Sequence, residues 1–195
     1  MPHNIYQTEG IIIDRKNFGE AEKLYIIFTE KFGKINAVGQ GVRNLKSKLK
    51  YNLEPVSIIN LALVATGESW RITDANGAAS FKNIKNDKNK FALYAKFAVF
   101  LNRMLQGQEK NQALWSQVFA DLIFLEEENL TPKELSLLET VFIARALHHL
   151  GYINKSDFDF FIEIARIDKT VLAESEKVQR IMVAAINEAF RSSHL

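Results

Sequence analysis

The sequence predicts an α+β protein of two domains, in which an all-helical domain follows a small closed β-barrel. Five or so short apolar or alternating runs, separated by glycines, lie within residues 5–81, and this pattern is typical of a small barrel. After residue 90 the apolar residues adopt the 3.6-residue period of helices. The polar segment 83–90 is predicted to be a linker, so the expected domains are 1–82 and 91–195.

The barrel strands are predicted from β-branched and alternating runs that end at glycines. They are expected at residues 11–13, 23–29, 34–38, 56–64 and 70–75. Asn76-Gly77 is a strong signal for a two-residue hairpin, which would place Phe81 in a returning strand. Such short strands with glycine bends suit a closed barrel better than a sandwich.

The helices are predicted from wide apolar faces. The expected segments are 91–106, 111–128, 132–150, 157–167 and about 175–191. Thr131-Pro132-Lys133-Glu134 has the form of a capping box with proline at the first helical position, and Gly151 is expected to end that helix.

Composition excludes several classes of protein. The 195 residues include no cysteine, which rules out disulfides, cysteine-ligated zinc and thiol nucleophiles. No apolar window reaches the length of a membrane span, and the first residues lack the features of a secretory signal. We therefore expect a soluble, cytoplasmic protein with no membrane association.

Motifs for an active site are absent. Gly39-Gln40-Gly41 lacks the third glycine of a dinucleotide site and is better explained by barrel bends. His148 and His149 would lie about 100° apart on a helix, so they suit a helix end better than one metal ion. The acidic run 126–128 is more typical of a solvated helix face. The sequence predicts no enzyme, no cofactor and no metal site.

Charge is distributed unevenly along the chain. Residues 1–90 carry 14 Lys and Arg against 9 Asp and Glu, whereas residues 91–195 carry 11 against 14. Arg43, Lys46, Lys48 and Lys50 fall within eight positions, with small polar residues between them. A barrel loop of this charge density favours contact with a phosphate backbone, although a merely solvated loop remains the alternative.

Aromatic residues near this loop are candidates for stacking on bases. They are Phe18, Phe32, Tyr51 and Trp70. For each of them taken alone, a place in the core is the stronger interpretation.

The order of motifs over residues 8–55 resembles the bacterial RecO family of recombination mediators. The matching segments are Thr8-Glu9-Gly10-Ile11-Ile12-Ile13, Phe18-Gly19-Glu20-Ala21-Glu22-Lys23-Leu24, Phe28-Thr29, Gly33-Lys34, Ala37-Val38-Gly39-Gln40-Gly41-Val42-Arg43, Lys46-Ser47 and Leu53-Glu54-Pro55. The resemblance implies an OB-fold for the barrel and a helical second domain. In the second domain it is confined to Leu147-His148-His149-Leu150-Gly151-Tyr152.

The resemblance also implies a function in DNA repair. Members of the family bind single- and double-stranded DNA, anneal complementary strands, contact RecR and the single-strand-binding protein, and help to load RecA. Matched by position, Lys34, Arg43, Lys46 and Ser47 are expected on DNA, and Lys48 and Lys50 extend this patch by composition. The protein would then be cytoplasmic and nucleoid-associated.

One departure from the family lies in the second domain, and one alternative function stays open. Many members carry a four-cysteine zinc module where this chain has residues 152–175 without cysteine, so we expect no structural zinc. The alternative is an OB-type RNA-binding or ribosome-associated module without annealing activity. A scaffold that binds only protein through the acidic helices is a more distant possibility.

Overall fold

The computed structural model describes residues 4–44, 47–67, 69–154 and 158–192. Within them, five strands form a closed barrel in the order β1-β2-β3-β5-β4. The strands are β1 (Ile5–Phe18), β2 (Glu22–Thr29), β3 (Gly33–Gly39), β4 (Ser57–Thr66) and β5 (Ser69–Ser80). Neighbouring strands are antiparallel except β3 and β5, which pair in parallel. The predicted α+β fold of a small barrel followed by helices is confirmed.

The barrel core follows from the alternation of side chains along the strands. In β3, for example, Ile35 and Ala37 are buried inside while Asn36 between them is exposed. Inward-facing residues from all five strands form one apolar cluster, which includes Ile12, Tyr25, Ile27, Ile35, Leu61, Leu63 and Ile72. Strand β1 reaches two neighbours because its first half pairs with β4 and its second half pairs with β2.

A short helix that the sequence analysis did not predict follows β3. Helix α1 (Lys48–Asn52) stands between β3 and β4. Val42 and Leu53 on either side of it are buried in the barrel core, and Leu49 packs against the same cluster. This segment therefore contributes apolar side chains to the barrel as well as carrying the basic residues.

The predicted hairpin at Asn76-Gly77 is wrong. Both residues lie inside β5, where they pair with Asn60 and Ile59 of β4. The register shifts at the next pair, so the glycine marks a β-bulge and not a turn. Phe81 likewise belongs to no returning strand: it follows β5, is buried, and its N–H donates to the carbonyl of Val56 at 3.3 Å.

The predicted linker at 83–90 is helical. Helix α2 (Lys82–Asn86) and the first residues of α3 (Lys88–Met104) occupy this segment. Two features stabilise these helices in spite of the polar composition of the segment. Ile84 is fully buried, and the carboxylate of Asp87 accepts from the N–H groups of Asn89 and Lys90 at the start of α3. Side-chain capping of this kind stabilises a helix start without an apolar pattern.

The chain divides into two compact units whose boundaries differ from those predicted. The barrel unit comprises residues 1–81 together with 98–111, and the helical unit comprises 82–97 and 112–195. The segment 98–111 joins the barrel because it binds the start of β3, where Lys34 N–H donates to the carbonyl of Gly107 at 3.2 Å. Trp70 Nε1 also donates to Gln108 Oε1 at 3.0 Å.

The helical unit contains the remaining helices of the described residues. They are α4 (Gln112–Glu127), α5 (Pro132–His149), α6 (Asp159–Glu163), α7 (Lys169–Ser175) and α8 (Gln179–Ser192), with a 3-10 turn at Glu176–Val178. The predicted capping box is present, since Thr131 and Glu134 exchange hydrogen bonds at the start of α5. Helix α6 is shorter than the predicted 157–167, and residue 157 lies outside the described residues. Among the described helices, none has the length and apolar character that crossing a bilayer requires.

Candidate nucleic-acid interface

The basic segment predicted from the sequence is anchored to one part of the barrel wall by its apolar residues. Val42 and Leu53 are buried, and Leu49 packs on the core. Arg43 and Lys50 are exposed. The two cations of the segment whose side chains the structure describes are thus open to solvent next to an anchored part of the chain, where they can neutralise phosphates.

Arg43 also binds the turn between β1 and β2. Its N–H donates to the carbonyl of Ala21 at 3.1 Å, and its NH1 group donates to the carbonyl of Gly19 at 3.1 Å. A guanidinium has five N–H donors, and the bond to Gly19 uses one of them. Arg43 can therefore hold the turn and still bind a phosphate.

Lys50 stands beside an exposed aromatic ring. Its ammonium lies 5.9 Å from the centre of the Tyr51 ring, within the range of a cation–π contact. Tyr51 is 70% exposed. Proteins that bind single-stranded nucleic acids combine a cation, which binds a phosphate, with an open aromatic ring, on which a base stacks.

The other predicted residues of the segment are less well defined by the structure. Ser47 is half-buried at the start of α1, and its side chain does not cap the helix. Lys48 belongs to α1, but its side chain lies outside what the structure describes. Lys46 lies outside the described residues.

Lys34 has a different environment from the one that the motif suggests. It lies in β3, and its ammonium donates to the carbonyl of Asn102 at 2.8 Å. Partial burial lowers the pKa of this lysine. Its charge therefore serves first to attach segment 98–111 to the barrel.

The four aromatic residues considered for stacking fall into two pairs. Trp70 is buried and packs with Phe32 and Tyr6, at ring-centre distances of 4.9 Å and 5.4 Å, so Phe32 and Trp70 are structural. Tyr51 and Phe18 are exposed, the latter by 49%. Only these two of the four have open ring surface for a base.

The β1–β2 hairpin carries cations that were not predicted from the sequence. Arg15 and Lys16 in β1 are exposed, and Lys23 in β2 is half-buried. In the sequence they lie among the acidic residues 14, 20 and 22, so the segment 14–23 has no net charge. The signal that could have found them is the two-residue period of a strand, which separates neighbours onto opposite faces.

An open cleft of about 320 Å³ on the outer face of the barrel has the wrong charge for DNA. It is lined by residues of β1, β4 and β5 and of the turn after β2, with the carboxylates of Glu9, Glu30 and Asp74 among them. The ammonium of Lys31 in this cleft donates to the carbonyl of Gln7 at 2.9 Å. Its acidic lining repels phosphate, so this face is not part of the candidate interface.

Ionisable groups are also buried in the helical unit. Arg145 NH1 donates to Asp121 Oδ1 at 2.9 Å, and Gln117 donates to the same carboxylate at 3.0 Å. Burial raises the pKa of Asp121 to about 6, although Arg145 and Gln117 act to lower it. Arg145 also donates to the carbonyl of Ile164 at 2.6 Å, so the cluster ties α4 and α5 to the segment after α6. Its position and its hydrogen bonds define it as a structural element.

The histidine pair lies at the end of α5, as predicted, and is half-buried there. His148 Nδ1 lies 2.9 Å from the carbonyl oxygen of Ile153. Burial, with the positive charge of Arg145 and the neighbouring His148, lowers the pKa of His149 to about 4. Among the described residues, no group of three or more acidic or imidazole side chains is arranged to hold a metal ion.

The barrel topology, the parallel β3–β5 closure and the helix between β3 and β4 define an OB-fold domain with exposed cations beside one turn. Residues 1–81 match the family described as "Recombination protein O N terminal". Similar curated proteins are named "DNA repair protein RecO". The one from Thermoanaerobacter sp. is 26% identical over 157 residues, 78% of this chain and 60% of the relative.

Other relatives of the same name give similar values. That from Clostridium perfringens is 27% identical over 76% of this chain and 59% of the relative. That from Oceanobacillus iheyensis is 28% identical over 73% of this chain and 57% of the relative. The chain thus spans about three fifths of the length of these relatives. The resemblance to the RecO family predicted from the motifs is confirmed, because the barrel residues match its family model and relatives named RecO align with about three quarters of the chain.

Proposed function

We propose that this protein is a DNA repair and recombination mediator that binds single- and double-stranded DNA without catalytic turnover. The observation that carries the proposal is the exposure of Arg43, Lys50 and Tyr51 on a segment anchored to the OB barrel. The names of the related proteins support a function in DNA repair. The expected location is the cytoplasm, at the nucleoid.

The mechanism follows from the chemistry of these side chains. Cations neutralise backbone phosphates and release counterions, which makes affinity depend on salt and little on base sequence. Tyr51 adds stacking on bases that an unpaired strand exposes. When two complementary strands are bound together, their mutual repulsion is screened, and pairing is accelerated. Help in loading RecA, together with RecR and the single-strand-binding protein, is proposed from the family alone.

The DNA-binding surface is proposed to include Arg43, Lys46, Ser47, Lys48 and Lys50, with Lys34 as a minor contributor. Lys34 contributes less because its ammonium is bound to Asn102. Replacing Arg43, Lys46, Lys48 and Lys50 by alanine should make the dependence of log affinity on log salt shallower by about 3, at about 0.7 per lost contact.

The test is a titration of fluorescent single-stranded DNA at several salt concentrations, with circular dichroism to confirm folding. A matched control replaces Lys82, Lys85, Lys88 and Arg191, four exposed cations of the helical unit, by alanine. We expect the control to keep the wild-type slope. An unchanged slope in the folded loop variant would contradict the assignment of the loop.

A strand-annealing assay distinguishes the two functions considered from the sequence. The mediator should accelerate the pairing of complementary DNA strands, and the loop variant should lose this acceleration. Tighter binding of RNA than of DNA, with no acceleration of pairing, would favour the RNA-binding module instead.

A further inference from the structure

The distal part of the β1–β2 hairpin carries its charges on two different faces. Residues 14–18 of β1 pair with residues 22–26 of β2, with Arg15 opposite Tyr25 and Asn17 opposite Lys23. Residues directly opposite in an antiparallel pair point to the same face. Arg15, Asn17 and Lys23 therefore share the face of Tyr25. The other face carries Asp14, Lys16, Phe18 and Glu22.

Within the paired segments, the strand pleat thus places two cations and no carboxylate on the face of Tyr25, while Glu20 lies in the turn between the strands. Both acidic residues of the paired segments lie on the opposite face, with Lys16. Within the described residues, neither Arg15 nor Lys23 forms an ion pair, and Arg15 is exposed. Two cations without ion-pair partners, about two residues apart on one face, are able to contact the phosphates of a polyanion.

The face of Tyr25 adjoins the basic segment. Around Gly39, the side chains of Tyr25, Val42 and Leu53 approach one another, since all three lie within 3.4 Å of the position of a Cβ built there. Burial raises the pKa of Tyr25, Arg15 lowers it and Glu54 raises it, so both charged groups lie close to its ring. Arg43 bonds to the hairpin turn at Gly19 and Ala21. The hairpin and the basic segment are therefore attached to each other twice, through the buried contact of Tyr25 with Val42 and Leu53 and through the bonds of Arg43 to the turn.

We propose that single-stranded DNA bound to the basic segment continues onto the hairpin, where Arg15 and Lys23 contact its phosphates. The inference rests on the proposed function and adds a second half to its binding surface. Charge complementarity supports this occupant, because Arg15 and Lys23 share one face of the hairpin and Arg43 is bonded to its turn, so these three cations outnumber Glu20 of the turn and Glu54 near Tyr25. Lys16, on the opposite face of the same hairpin, takes no part.

The experiment compares single substitutions that each remove one positive charge from the full-length chain. Arg15→Gln and Lys23→Gln should each make the salt slope for a fluorescent oligothymidine shallower by about 0.7, and the double variant by about 1.4. Lys16→Gln is the matched control and should keep the wild-type slope. Circular dichroism and thermal unfolding of every variant check that it is folded. If Arg15→Gln does not fold, the comparison of Lys23→Gln with Lys16→Gln is the test.

The outcomes separate the two proposals. If the wild-type chain shows no salt-dependent binding of the oligothymidine, the proposed function fails and this inference fails with it. If the wild type binds but Arg15→Gln and Lys23→Gln keep its slope, only the inference is overturned. Equal losses for Lys16→Gln and Arg15→Gln would also overturn it, because they would show general electrostatic attraction without a preferred face.

Discussion

Arg43 and Gly19 are joined by a hydrogen bond of 3.1 Å from the guanidinium NH1 group to the carbonyl oxygen. The bond links the loop after β3 to the turn after β1, and 24 residues separate its two partners in sequence. Arg43 is therefore a positioning residue for the hairpin in addition to a proposed phosphate ligand.

Replacing Arg43 by glutamine should loosen the β1–β2 turn. Loss of one such hydrogen bond removes about 0.5–1.5 kcal/mol, so the amides of residues 16–24 should exchange with deuterium up to about tenfold faster. The backbone bond from Arg43 to Ala21 remains and limits the effect. Lys50→Gln removes the same charge without touching the turn and is the control. Equal exchange rates in the two variants would mean that the Gly19 bond does not hold the hairpin.

Gly33, the first residue of β3, should not tolerate a side chain. Its φ is +64°, and a Cβ would stand 2.7 Å from the backbone nitrogen of Glu109. Gly67 has a similar φ of +71° with nothing within 4 Å of its Cβ position. Both alanine variants carry the left-handed strain of about 1–2 kcal/mol, and Gly33→Ala adds about 1–3 kcal/mol of overpacking.

Urea unfolding of Gly33→Ala and Gly67→Ala measures this difference directly. We expect the lower free energy of unfolding in Gly33→Ala. Equal losses in the two variants would show that segment 105–111 moves away from Gly33 without cost.

The sequence predicted those parts of the fold that depend on local periodicity. The β-branched runs around Ile12 and Ile27, and the capping box at Thr131, are local signals, and the structure contains all three elements. Asn76-Gly77 carries an equally strong local signal, but ten residues of pairing between β4 and β5 override it. Tertiary pairing decides between a turn and a bulge, and sequence spacing alone does not contain it.

The candidate site was predictable only where its charges follow one another along the chain. Arg43 and Lys50 belong to a cation-rich segment and were found in this way. Arg15 and Lys23 are brought to one face by the register of β1 with β2, and acidic neighbours mask them in the sequence. The hydrogen bond from the Lys34 ammonium to the carbonyl of Asn102 joins residues 68 positions apart in the sequence, and no local pattern predicts it.

The barrel should require residues beyond 88 for its stability. A chain ending at 88 loses the bonds of Lys34 to Asn102 and Gly107 and that of Trp70 to Gln108. A chain of residues 1–111 keeps them, so its thermal midpoint should be higher by several degrees, at about 0.5–1.5 kcal/mol for each bond. Gln108→Ala in the full chain removes one of these bonds and should give a small decrease. Identical midpoints for the two truncated chains would show that the barrel is stable without segment 98–111.

Arg145→Met should destabilise the protein in a pH-dependent way. Breaking a buried ion pair costs about 3–5 kcal/mol, because Asp121 remains buried and loses its partner. Arg145 lowers the pKa of Asp121, so the substitution should raise that pKa further above about 6. In the unfolded chain the carboxyl is ionised at both pH 5 and pH 7. The folded variant therefore binds an additional proton on acidification, and it gains stability as the pH falls from 7 to 5.

The measurement is the free energy of unfolding in urea at pH 7 and pH 5 for the wild type and the variant. The loss of unfolding free energy caused by Arg145→Met should be smaller at pH 5 than at pH 7 by about 1 kcal/mol. Protonation of Asp121 between these pH values stabilises the folded variant more than it stabilises the folded wild type. Arg166→Met breaks an exposed pair with Glu127, at 3.2 Å, and should cost less than about 1 kcal/mol at either pH. A loss in Arg145→Met that is the same at both pH values would show that the carboxylate of Asp121 stays solvated without its partner, and that the bond of Arg145 to Ile164 accounts for the stabilisation instead.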